Sequence, residues 1–158
     1  MTNRILHLII LFLATASAVA GDSIISRTMN YYPDGREIVC HNGSHRYTRA
    51  LYGSHTAFRL ETSDRPLFAV FRKGACRNLR LALVSPDGKG GRVTPLDSTC
   101  FDCEARYLGG RRTYTLRHGS AAIHIYAMAS FGSEGAVWRF QTEGLAEGTL
   151  LQATLCES

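Results

Sequence analysis

Apolar and polar residues alternate in short runs along most of this chain, and glycine-rich breakers cut the runs off. The pattern is clearest from Glu104 to Thr142, where runs rich in Tyr, Thr, Ile, Val, Trp and Phe are separated by Gly109-Gly110, Gly119-Ser120 and Phe131 to Gly135. That spacing predicts successive β-hairpins and hence a four-strand antiparallel meander. Side chains alternate between strand faces, so Tyr114 with Leu116, Ile123 with Ile125, and Ala136 with Trp138 and Phe140 each fall on one side. A sheet with one apolar face needs a second layer to cover it.

The remaining runs supply that layer. Short strands are predicted at Glu37 to Cys40, Ala57 to Glu61, Leu67 to Phe71, Asn78 to Val84 and Thr149 to Leu155, with a further edge strand around Ile24-Ile25. Asn78 to Val84 alternates cleanly, Leu79, Leu81 and Leu83 against Arg80, Ala82 and Val84. Between the strands, Pro33-Asp34-Gly35 reads as a turn, Asn42-Gly43 as a hairpin leading into Arg46-Tyr47-Thr48, and Thr62 to Pro66 as a hairpin loop. Thr94 to Cys103 is the least regular stretch. No segment sustains a capped 3.6-residue apolar period, so helices should be short or absent. The expected fold class is all-β, an antiparallel β-sandwich or partly closed barrel with a C-terminal meander.

The first twenty residues stand apart from this pattern. Arg4 precedes the apolar run Ile5 to Ala14, and Ala18-Val19-Ala20 supplies a small-residue cleavage site, which together read as a secretory signal peptide over 1–20. The run is shorter than the ~20 apolar residues of a membrane span. The expected product is exported, periplasmic or extracellular, without stable membrane insertion after cleavage. Residues 21–158 then form a single domain carrying seventeen Lys and Arg against thirteen Asp and Glu, a net +4 once Arg4 is removed. The charge lies in scattered pairs such as Arg72-Lys73 and Arg111-Arg112, which read as solvated strand faces. Without a basic stripe interleaved with aromatics, no nucleic-acid partner is expected. Five cysteines leave at least one that cannot pair within the chain, and export makes disulfides chemically possible for the rest.

An ordered set of motifs runs through residues 31–84: Tyr32-Pro33-Asp34-Gly35, Asn42-Gly43, Arg49-Ala50-Leu51-Tyr52-Gly53, Thr56 to Glu61, Asp64-Arg65-Pro66, Phe68-Ala69 and Asn78-Leu79-Arg80. It resembles the N-terminal β-sandwich region of a large family of exported gut-bacterial proteins whose long members look like glycoside hydrolases of polysaccharide utilisation. The resemblance implies a non-catalytic module serving domain packing or glycan contact, whose partner is a glycan or a downstream catalytic domain. Those relatives run on well beyond the length of this chain, so an N-terminal fragment of a longer protein is one expectation. The competing readings are a small self-contained glycan-active enzyme and an independent glycan-binding protein. The residues that carry the resemblance and bear chemistry are Arg49, Tyr52, Arg59, Glu61 and Asp64, expected at a binding edge or an interface with Leu51, Phe58, Leu60 and Leu67 on or beneath it.

Candidate chemistry is sparse. Glycoside hydrolysis ordinarily uses two carboxyl groups ~5 to 9.5 Å apart across a sugar. Glu61 with Asp64, and Asp102 with Glu104, are the candidate pairs; neither carries a motif, so no catalytic residue is assigned. Cys100 and Cys103 have CxxC spacing, but the motif runs into a strand rather than opening a helix, and a zinc site would need two further ligands from Cys40, His41 or His45. No cofactor is expected. Tyr31 and Tyr32 could form a sugar platform or pack as a turn against a sheet edge, and His55, His118 and His124 are scattered. Trp138 is expected to be a core anchor in a central strand rather than a sugar platform.

Overall fold

The computed structural model describes residues 30–54, 57–87 and 90–157. The expected signal peptide, the expected edge strand at Ile24-Ile25 and His55 lie outside the described residues. Twelve strands follow in order: β1 Tyr31–Asp34, β2 Glu37–His41, β3 Tyr47–Leu51, β4 Phe58–Ser63, β5 Leu67–Arg72, β6 Ala75–Ser85, β7 Arg92–Pro95, β8 Asp102–Leu108, β9 Arg111–His118, β10 Ala121–Ala129, β11 Ala136–Glu143 and β12 Leu150–Glu157. No helix occurs among the described residues. The strands form two antiparallel sheets packed face to face, a β-sandwich and not a closed barrel. Sheet A runs β1-β2-β8-β9-β10-β11; sheet B runs β12-β6-β5-β4-β3, with β7 pairing the far end of β6.

The local signals of the sequence produce the hairpins. Leu108 pairs with Arg111 and His118 with Ala121, leaving two-residue turns at Gly109-Gly110 and Gly119-Ser120. Both central residues of the first turn have positive φ, 50° and 83°, which matches the right-handed twist of the flanking strands. The predicted meander is therefore β8-β9-β10-β11. Asp64-Arg65-Pro66 closes the β4–β5 hairpin as expected. Lys73-Gly74, a turn without an Asn-Gly or Asp-Gly signature, closes β5–β6.

Four expectations need correction. Pro33 lies inside β1, opposite Ile38, and the turn moves on to Gly35-Arg36; β1 is an edge strand, where the missing proline N–H costs no ladder bond. Asn42-Gly43 does not close a hairpin but carries the chain from sheet A to sheet B, since β2 pairs with β1 and β8 while β3 pairs with β4. The irregular stretch before the meander contains a strand, β7, held by four register pairs to β6. And β11, which bears Trp138, is an edge of sheet A rather than a central strand.

The core lies between the inward faces predicted from alternation. Tyr114, Leu116, Ile123 and Ile125 of sheet A meet Leu51, Leu60, Phe68 and Leu81 of sheet B. Phe68 is its centre: the Tyr114 ring meets it edge-on at 5.8 Å and the Trp138 ring at 5.7 Å. Each such pair contributes about 0.5–1.5 kcal/mol beyond area burial. Leu51, Phe58 and Leu60 belong to this core and not to an exposed interface.

Candidate functional site

The five residues singled out by the sequence are distributed over three places. Asp64 sits at the tip of the β4–β5 hairpin, yet it is buried, because the tip folds inward between the sheets. Its carboxylate accepts from the hydroxyls of Tyr31 and Thr48, the latter at 2.7 Å, and from Arg112 Nη2 at 3.0 Å. Arg112 is 1% exposed, so this is a desolvated ion pair. The neighbouring Arg65 is buried as well and donates to the carbonyls of Gly43, Ser98 and Phe101 and to Asn42 Oδ1. Tyr114 completes the cluster by donating to the Ser63 carbonyl at 2.7 Å.

The backbone around this cluster has no slack. A Cβ on Gly43 would stand 2.5 Å from Asp64 Cβ and 2.6 Å from Cys40 Sγ, so only glycine lets the crossing segment pass. Burial, reinforced by the bond to Asp64, pushes the Tyr31 phenol up to about 12. Burial likewise raises the Cys40 thiol and pushes that of Cys103 up to about 12, the latter despite Arg65 and Arg112 nearby. Burial also raises the Tyr114 phenol against the pull of Arg112. These groups stay protonated at neutral pH. With every Asp64 contact directed inward, the cluster ties β1, β3, the β4–β5 tip and β9 together.

Glu61 points the other way. It lies on the outer face of sheet B, 3.0 Å from Arg59 Nε, and Arg59 stacks over the Phe71 ring at 4.0 Å. Glu61 and Asp64 therefore do not face one another across a common cavity. Arg49 projects inward, with its guanidinium between the Tyr31 and Tyr107 rings and Nη1 on the Thr48 carbonyl. Tyr52 lies at the opposite end of β3, exposed beside Met128 and Phe131. Asp102 and Glu104 share the outer face of sheet A, but Asp102 accepts from Asn42, and Glu104 is engaged by Arg106 and His41.

The cysteine candidates also separate. Cys100 is exposed in the turn before β8 and Cys103 is buried within it, so the CxxC side chains have opposite surroundings. Cys40 points into the core, His41 stacks on Tyr32 and pairs with Glu104, and His45 stands by Asp97. Among the described residues no three metal-binding side chains cluster. Tyr31 packs inward and Tyr32 stacks on His41 at 5.9 Å, so they do not form one platform.

Sequence reasoning missed a groove on the outer face of sheet B. It has a volume of about 580 Å³ and is floored by Ala82 and Pro95, which the β6–β7 register places opposite each other. Arg80, Thr154 and Gln152 form one wall through the β6–β12 register; His45, Asp97 and Ser98 form the other. Tyr47 lies next to it, 40% exposed, its hydroxyl donating to Asn78 Oδ1 at 2.9 Å. The alternation along β6 sets Arg80, Ala82 and Val84 on the face away from the leucines, but nothing local shows that β7 and β12 flank it.

Comparison of this chain with protein-family models, curated proteins and solved structures finds no match.

Proposed function

We propose that this protein is a non-catalytic β-sandwich module of an exported carbohydrate-processing system, and that it contacts glycan through the outer face of sheet B. The observation that carries the reading is the groove beside Tyr47. It combines a small apolar floor, Ala82 and Pro95, with hydroxyl, amide and guanidinium groups on its walls, the mixture that a sugar ring, apolar on its faces and polar at its rim, requires. Tyr47 adds an aromatic surface that is already oriented by its bond to Asn78. The resemblance of residues 31–84 to the N-terminal region of exported glycoside-hydrolase-like proteins points the same way. The carboxylates support a module rather than an enzyme: Asp64 is saturated by three donors inside the core, and Glu61 is held by Arg59 on the opposite side.

A second reading, packing against a downstream catalytic domain, is favoured by a different surface. Tyr52, Met128 and Phe131 gather at one end of the sandwich, and Phe131 is 83% exposed. Apolar groups grouped this way mark interaction surfaces.

The test is calorimetric titration of the purified protein with a panel of plant and host oligosaccharides, alongside an assay for released reducing ends. Binding without turnover is expected, and Tyr47→Ala should weaken it at least tenfold while leaving the melting temperature within a few degrees. Turnover that disappears in Glu61→Gln would sink the module reading and restore the enzyme.

A further inference from the structure

Resting on the reading above, we infer that the outer groove of sheet B selects acidic saccharides, with Arg80 as the residue that engages the ring carboxylate. The position of Arg80 makes the argument. It lies in the middle of β6, the strand that pairs with β5, β7 and β12, with Thr154 beside it on β12. Its guanidinium lines the groove and forms no ion pair among the described residues. Three other arginines of the same sheet are occupied, Arg59 by Glu61, Arg72 by Glu134 and Arg77 by Glu157, and the two that like Arg80 form no ion pair among the described residues, Arg49 and Arg92, do not line this groove. A guanidinium offers two parallel N–H donors that match a carboxylate, a geometry no neutral hydroxyl reproduces.

The rest of the lining suits the remainder of such a ligand. Gln152 and Thr154 stand next to Arg80 with side-chain donors and acceptors for ring hydroxyls, over the apolar floor of Ala82 and Pro95. A volume of about 580 Å³ admits a short oligosaccharide and not only one ring. Asp97 is the one carboxylate in the lining. It stands on the far wall against His45, whose Nε2 is 3.8 Å from Asp97 Oδ2 and 2.8 Å from the Asp97 carbonyl. The acid end of a saccharide is thereby directed to the Arg80 side of the groove and its neutral end to the Asp97 side. The basic balance of the whole chain, net +5 by sequence, favours approach of an anionic polymer over longer range.

The experiment compares oligosaccharides of galacturonate, glucuronate and mannuronate with their carboxyl-reduced, neutral counterparts, by calorimetry on the purified protein at low and at physiological salt. At least one acidic oligosaccharide is expected to bind tenfold or more tightly than its reduced counterpart, with affinity that falls as salt rises. Arg80→Gln should abolish that preference at unchanged melting temperature, while Arg80→Lys should retain part of it. If reduced and acidic forms bind equally, or if Arg80→Gln keeps the preference, the inference fails and glycan contact stands. If no acidic or neutral glycan binds, both fail.

Discussion

Two ends of sheet B are built on opposite principles. At the β4–β5 tip, Asp64 and Arg65 are buried and hydrogen-bonded to five other segments of chain, and a single added methyl group at Gly43 has nowhere to go. At the other end, every residue of β12 is exposed, including Leu150, Leu151 and Leu155. The register places Leu151, Ala153 and Leu155 beside Leu83, Leu81 and Leu79, on the core-facing side of the sheet. Sheet A does not extend over them. The tip therefore fixes how the two sheets meet, whereas β12 is held by its ladder to β6 and leaves a free edge. Rigidity here comes from buried polar groups bonded to several segments at once, and plasticity from apolar groups lacking cover.

The largest expected effect would break that contrast at its rigid end. Asp64→Ala leaves Arg112 buried without its carboxylate, and removing one partner of a buried pair costs about 3–5 kcal/mol. Urea unfolding should show this directly; a loss under about 1 kcal/mol would mean the tip does not organise the fold. Replacing both partners with apolar groups, Asp64→Leu with Arg112→Met, should recover a large part of the loss, because no charge is then stranded.

Trp138→Ala comes next. The indole packs edge-on against Phe68, but from an edge strand and half-buried, and its Nε1 has no acceptor among the described residues. The cost should lie near the lower end of the Trp→Ala range, at about 3 kcal/mol. Normal stability with lost glycan binding would instead make Trp138 a recognition residue.

Alkaline pH probes the tip without mutation. The folded Tyr31 phenol and Cys103 thiol are both raised to about 12, above their ordinary values of 10 and 9. An acid whose folded pKa is raised holds its proton in the native state after the unfolded chain has released it. Stability is then complete below pH 9 and declines as pH climbs from about 9 towards 12. Tyr31→Phe together with Cys103→Ala should flatten the decline of melting temperature in that window; an unchanged slope would assign it to other groups.

The smallest effect belongs to β12. Leu155→Lys at an exposed edge should change stability by no more than about 0.5 kcal/mol, yet a charge on a free edge opposes pairing with another chain. Light scattering should show less self-association at unchanged melting temperature.

The contrast was only partly legible in the sequence. Hairpins closed by Gly109-Gly110 and Gly119-Ser120 were readable because the signal and the structure it specifies are local. The switch of sheets at Asn42-Gly43 was not, because β2 takes its partner from β8, far along the chain, and a local hairpin signal says nothing of that choice. The tip was misread for a subtler reason. Adjacent arginines such as Arg111-Arg112 suggest a solvated pair, although the alternation that buries Tyr114 and Leu116 puts Arg112 on the same face. A charge on an apolar face was the available sign of a buried ion pair. Its partner, supplied by Asp64 from a loop, could not be named from spacing.

The order in which strands enter the two sheets has a kinetic consequence. The chain lays down β1 and β2 in sheet A, leaves for β3 to β7 in sheet B, returns for β8 to β11, and crosses back for β12. Sheet A thus waits for β8 before β2 has its inner neighbour, and β6 waits for β12, about 65 residues further on, before its second edge is paired. Ladders between distant segments must close long loops before any contact rewards them, which places such topologies in the millisecond-to-second range of folding times. A chain of this design synthesised from its N-terminus would carry β2 and β6 with open hydrogen-bonding edges until β8 and β12 follow, so that its completion depends on the timing of delivery as well as on sequence.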